Sequence, residues 1–281
     1  MTEQTRNEAA ALAGDLPGVL LEARRLAAAA PGQHGRRRAG QGEAFWQYRD
    51  HRPEDGARLV DWRRSARGER LYVREREREA AQTAAFWLDP NPGFDWRSEE
   101  RLPTKKRRAL VVSLALATLF ARGGERVGAL GAPSRAGPRA VDQCALDLAA
   151  QRAPAPEAPR TRACIIVCSD FYEPVDAWRN RLATLSAAGA SGACLMICDP
   201  AEEDFPYSGR TLFHELGGRS EIVLGRAEHA REAFAERLAA HRRSLREMAR
   251  ALGFLLVTHR TDHPAAPVFA LLAAALSERG L

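Results

Sequence analysis

The runs Ala163-Cys164-Ile165-Ile166-Val167-Cys168-Ser169-Asp170 and Ala193-Cys194-Leu195-Met196-Ile197-Cys198-Asp199-Pro200 decide the fold. Each opens with an unbroken apolar stretch, shows no polar alternation, and ends in an acid. A strand of that kind has both faces buried, which calls for helices on both sides of a parallel sheet. Working outward, Ala84 to Leu88 is a third such run, ending in Asp89. Arg126 to Leu130 and Phe254 to Thr258 read as further strands, and Glu221 to Leu224 as an edge strand. Helical patterns fall between them: Lys105 to Ala121, closed by Gly123-Gly124; Val141 to Ala150; Pro174 to Ala188, with proline at a favoured first-turn position; Ala227 to Leu252; and Pro264 to Ser277. The alternation predicts an α/β domain over residues 83–281, built on a Rossmann-like, parallel-rich sheet.

Two other segments precede it. Residues 1–32 read as an Ala/Leu helical segment, broken at Asp15-Leu16-Pro17-Gly18 and stopped by Pro31-Gly32, with Leu20, Leu21 and Leu26 on one apolar face. Residues 33–82 are irregular and rich in arginine, glycine and tryptophan. Phe45, Trp46, Tyr48, Trp62 and Tyr72 are interleaved with the charges there, so the segment is expected to fold, with a short strand at Leu71-Tyr72-Val73.

Composition narrows the function. The chain has 281 residues, 45% hydrophobic and 28% charged, with a net charge of +6. It is long and apolar enough for a sizeable core. Lys105 and Lys106 are the only lysines among 42 basic residues. Arginine in place of lysine, with abundant alanine and glycine, is what a GC-rich genome produces without any partner. Several arginines also lie beside acids, as in Arg74-Glu75-Arg76-Glu77-Arg78-Glu79. The charge therefore reads as a solvated surface rather than a nucleic-acid footprint. The polar start of the chain lacks a signal-peptide core, and the longest apolar run, Ala109 to Ala121, is too short to span a bilayer. Five cysteines fit a reducing cytosol, so the expected location is cytoplasmic, without membrane insertion.

Ligands of open α/β sheets bind beyond the carboxyl ends of the strands, where strand order reverses. Asp89, Asp170 and Asp199 all stand at such ends. Two of these carboxylates meeting would suit a hard divalent cation. The alternative is that each caps a turn or the next helix. Cys164 and Cys168, like Cys194 and Cys198, lie about 13 Å apart along their strands and cannot share a metal. They read as buried, inert thiols, although one cysteine from each strand could still meet its counterpart across the sheet. His259 and His263 straddle a strand end as loop residues, and His241 falls on a charged, exposed helix face. There is no phosphate loop and no nucleophile elbow.

The stretch Gly40-Gln41-Gly42-Glu43-Ala44-Phe45-Trp46-Gln47-Tyr48-Arg49, followed by Asp61-Trp62-Arg63-Arg64-Ser65-Ala66-Arg67, closely resembles the signature of the bacterial domain-of-unknown-function 58 family. The resemblance runs from about Gly35 to the C-terminus. It implies a von Willebrand factor A-like domain behind the signature, acting as an adaptor for a MoxR-type AAA+ ATPase. It also implies a metal-dependent adhesion site. Of that site's ligands Asp89 and Asp170 match, while Asn91 and Gly93 stand where the family pattern has serines, and Ser134 or Asp95 would have to stand in for others. Any Mg²⁺ or Ca²⁺ held by Asp89, Asn91 and Asp170 is therefore expected to be weak, or the site vestigial. The signature departs too in its turn, Arg52-Pro53-Glu54-Asp55-Gly56, where the glycine is displaced.

Two roles fit the signature residues Arg49, Asp61, Trp62, Arg63, Ser65 and Arg67. Trp62 could be a buried plate welding the segment to the main domain, with Asp61 paired to Arg63 or Arg67. Equally, the arginines could form a recognition surface. The expected function is a non-enzymatic protein-interaction adaptor. The alternatives are an arginine-rich nucleic-acid binder spanning Arg36 to Arg78 and, with least support, a hydrolase using a metal at Asp89 and Asp170.

Overall fold

A computed structural model describes residues 3–29, 45–50, 60, 62–66, 71–76, 82–151, 153–159, 162–214 and 220–278. The chain divides into two compact units, one of residues 1–31 and 82–281 and the other of residues 32–81.

In chain order the elements are α1 (Glu3–Ala29), β1 (Phe45–Asp50), the single turn α2 (Trp62–Ser65), β2 (Tyr72–Arg76), β3 (Thr83–Leu88), α3 (Lys105–Arg122), β4 (Arg126–Ala129), α4 (Ala140–Ala150), β5 (Cys164–Ser169), α5 (Val175–Ala187), β6 (Ser191–Cys198), α6 (Pro200–Asp204), β7 (Thr211–His214), β8 (Glu221–Leu224), α7 (Arg231–Ala251), β9 (Phe254–Arg260) and α8 (Ala265–Glu278). The larger unit is built on a five-stranded parallel sheet in the order β4-β3-β5-β6-β9.

The unalternating strands are explained by two cores. Phe86, Leu88, Ile166, Cys168, Leu195 and Ile197 point into one, with α1, α3, α4 and α8. Trp87, Ile165, Val167, Cys194, Met196 and Leu256 point into the other, beneath α5 and α7. Period-2 geometry still holds, but both faces are covered, so both are apolar. This is the Rossmann-like α/β architecture that the apolar runs and helical patterns predict.

Three local expectations are overturned, the first being the apolar face of the leading helix: Leu20 and Leu26 pack partly buried on the core, but Leu21 is 51% exposed. α1 is not broken at Asp15 to Gly18 but runs through Pro17. Leu16, Val19, Ala23 and Ala27, spaced three and four apart, are buried against the core of α3 and α4. That packing offsets the hydrogen bond proline removes. Glu221 to Leu224 does not edge the main sheet, because it pairs antiparallel with β7 in a separate hairpin. In the smaller unit β1 pairs antiparallel with β2.

Candidate functional site

Strand order runs outward from β3 to β4, then returns across β3 to β5, β6 and β9. The reversal lies between β3 and β5, so the loops after these strands flank the crevice in which this fold class binds ligands. Asp89 and Asp170 follow the neighbouring strands β3 and β5, so the structure brings the two predicted acids together. Both are buried.

Their oxygens, however, are engaged by the protein itself. One Asp89 oxygen accepts the Asn91 backbone N–H at 2.9 Å and the other accepts the Ser169 hydroxyl. Asn91 Oδ1 accepts the Gly93 N–H at 2.9 Å. Asp170 accepts the Tyr172 N–H through Oδ1 and the Lys105 ammonium through Oδ2. Asp199, which could have been ligand or cap, is a cap: it accepts the Ala201 N–H at 2.9 Å in a capping box with Glu202, and its second oxygen accepts the Ser98 N–H. The two stand-ins lie elsewhere. Asp95 faces Lys106 at 3.9 Å, and Ser134 bonds to Arg126 at the amino end of β4, the end of the sheet opposite the acids. No three His, Cys, Asp or Glu side chains among the described residues are arranged to hold a metal ion. Asp89, Asn91 and Asp170 thus do not fit the Mg²⁺ or Ca²⁺ that the A-like resemblance implies.

Burial pushes the Asp89 carboxyl above the ordinary aspartate range, with Asp170 and Glu173 adding to the rise and the Ser169 and Asn91 hydrogen bonds opposing it. An acid whose pKa is raised by folding contributes stability below its unfolded pKa and loses that contribution as pH rises through the folded value. Asp89→Asn is therefore expected to unfold a few degrees higher than the wild type at pH 7, with the gap closing below pH ~4. Paired thermal melts across that range provide the check.

Lys105 was not anticipated as part of this site. It is the first residue of α3, and its side chain is 1% exposed. The ammonium lies 3.0 Å from Asp170 Oδ2, bonds Glu202 of α6, and sits 5.4 Å from the centre of the Tyr172 ring and 6.0 Å from that of Trp96. Burial works against its charge, but Asp170 and Glu202 outweigh burial and hold its pKa above the ordinary lysine value. A signal for it existed in composition, because lysine is rare in this arginine-dominated chain.

The loop carrying Asp170 is itself tightly held. Phe171 has φ of +56°, a strained conformation for an aromatic residue. Its ring packs on Trp178 at 4.3 Å, and its carbonyl accepts a 2.7 Å hydrogen bond from His241 of α7. His241 is half-buried rather than exposed, because this bond draws it onto the loop. His259 is likewise not a solvated loop residue: it lies within β9 and is buried. It lines a groove of about 550 Å³ with His263, Arg242 and Leu271. Each of the five cysteines is buried and outside any disulfide. Cys164 and Cys168 face one core and Cys194 and Cys198 the other, so the sheet separates the two pairs. Burial raises the thiol pKa of Cys168 and Cys198 to about 12, which keeps them protonated and unreactive.

In the smaller unit Trp62 is not a buried plate. It is 61% exposed, and Arg63 is exposed beside it. Ser65, on the same turn, is buried and accepts the Tyr72 N–H at 2.9 Å, tying α2 to β2. Arg49 lies in β1, while Asp61 and Arg67 fall outside the described residues.

The sheet order, with an acidic, lysine-filled crevice at its reversal, defines a Rossmann-like α/β domain. The chain belongs to the family described as protein of unknown function DUF58, whose model matches residues 47–244. It is 26% identical over 247 residues to uncharacterized protein Rv1480 of Mycobacterium tuberculosis strain H37Rv and to uncharacterized protein Mb1516 of Mycobacterium bovis, covering 79% of this chain and 76% of theirs. Among solved structures it is similar to an aerotolerance-related membrane protein of Bacteroides fragilis (TM-score 0.42) and to conserved hypothetical protein BatB of Bacteroides thetaiotaomicron (TM-score 0.37). Each is 13% identical and aligns over 70% of this chain and 100% of its own. Among the described residues, no helix is long and apolar enough to cross a membrane.

Proposed function

We propose that this protein is a non-enzymatic, cytoplasmic interaction module that works with a MoxR-type AAA+ ATPase and docks through its signature unit. The observation that carries the reading is the exposure of Trp62 on a turn pinned by a buried Ser65. A large aromatic exposed beside an arginine on a hydrogen-bonded turn has the composition of a binding hot spot. The identity of the partner rests on the family resemblance alone. The crevice acids are engaged in internal hydrogen bonds, which favours a role in holding the loops over a role in turnover.

The test is a binding titration between the full chain and the purified MoxR-type ATPase of the same organism. Trp62→Ala is expected to weaken the complex at least about tenfold while leaving the melting midpoint unchanged. Wild-type affinity in a correctly folded Trp62→Ala variant overturns the docking site. Failure of the wild-type chain to form any complex overturns the partner.

A further inference from the structure

A cation at the first residue of a helix is electrostatically misplaced, because the helix macrodipole puts partial positive charge there. A lysine side chain with only 1% of its surface exposed is also rare unless it is paired. Lys105 combines both liabilities, so something must hold it. Its neighbours show what does. Asp170, from the loop after β5, and Glu202, from α6, each accept a hydrogen bond from the ammonium. Trp96, from the loop after β3, and Tyr172 supply aromatic faces at cation–π range. The connections after β3, β5 and β6 are thereby joined through a single positive charge.

We propose that the Lys105 ammonium is the resident cation of this domain, taking the bridging role that the A-like resemblance assigns to a divalent metal. The crevice is assembled without Mg²⁺ or Ca²⁺ because its positive charge is covalently built in. Residue choice agrees with this. The ammonium is a compact point charge with three donors, whereas a guanidinium is a planar fork that needs a wider cage. In a chain whose basic residues are otherwise arginine save for the neighbouring Lys106, lysine stands here.

Thermal unfolding of the full-length protein tests this in two independent ways. In the wild type, millimolar MgCl₂, CaCl₂ or MnCl₂, or excess EDTA, leaves the midpoint within about 1 °C, since one kcal/mol of ligand stabilisation would move it by ~2–4 °C. Lys105→Met, close in shape but uncharged, is expected to lower the midpoint by about 10 °C, as it leaves buried carboxylates without their counter-charge. The double variant Lys105→Met/Glu202→Gln, which removes one negative charge and keeps the capping box, is expected to recover at least about half of that loss. Stoichiometric uptake of a divalent ion by the wild type, abolished in Asp170→Asn, overturns the proposal. So does a Lys105→Met variant as stable as the wild type, or a double variant no more stable than the single. If Lys105→Met fails to fold, the wild-type metal titration decides alone.

Discussion

Gly192→Ala is expected to lower the stability of the larger unit by about 4 kcal/mol, combining backbone strain with overpacking. Gly192 is the second residue of β6 and has φ of +151°. A Cβ there would stand 2.1 Å from the Ile165 carbonyl oxygen and 2.8 Å from the Ile165 nitrogen on the neighbouring strand β5. Both are backbone atoms within a five-stranded ladder, so they cannot yield without opening the β5–β6 pairing at the centre of the sheet. Gly124 is the matched control. Its φ is +88°, yet nothing lies within 4 Å of the position a Cβ would take. Gly124→Ala is therefore expected to cost only about 1 kcal/mol, from the left-handed backbone alone. Urea unfolding of both variants gives the comparison. A Gly192→Ala midpoint equal to that of Gly124→Ala would mean that the strands are not in this contact.

Acidification supplies the second large effect, through His259. Burial, followed by the neighbouring Arg108 and His263, lowers its pKa to about 4, while Asp262 opposes the shift. No described group bonds its Nε2. A histidine whose pKa is depressed by folding contributes stability that is fully present above its unfolded value, near pH 6.5, and is lost as pH falls through the folded value. A shift of this size corresponds to about 3 kcal/mol, reduced to about 2 kcal/mol by solvent at the groove mouth. The unfolding free energy is expected to fall by that amount between pH 6.5 and 4, and His259→Phe should flatten this part of the profile. An unchanged acid limb in His259→Phe would assign the loss to other groups.

The two glycines also mark the boundary of what a sequence reveals. Both stand beside strand signals, and nothing in the residue order distinguishes a tolerant turn from a backbone contact. The strands themselves were legible, because burial on two faces forces an unbroken apolar run that few other structures require. The acids at the strand ends were legible for a similar reason, since chain direction in a parallel sheet gathers them at one edge. What they do there was not. Asp199 as a helix cap and Asp89 as the acceptor for Ser169 depend on which backbone N–H or hydroxyl arrives from another loop. The run of α1 through Pro17 was hidden because local propensity argues for a break, and only packing against α3 and α4 argues otherwise.

The sequence by itself determined the architecture: apolar runs, helical periods and the acids that end the strands, each set by the neighbours along the chain. Tertiary structure alone decided the character of the site. Lys105 lies 65 residues from Asp170 and 97 from Glu202, and its charge acquires meaning only where those carboxylates close around it. It likewise decided that Trp62 faces solvent rather than a core. The physical reason is the same in both cases. Secondary structure answers to local periodicity, whereas the burial and pairing of a charge or a ring depend on surfaces brought together from distant parts of the chain.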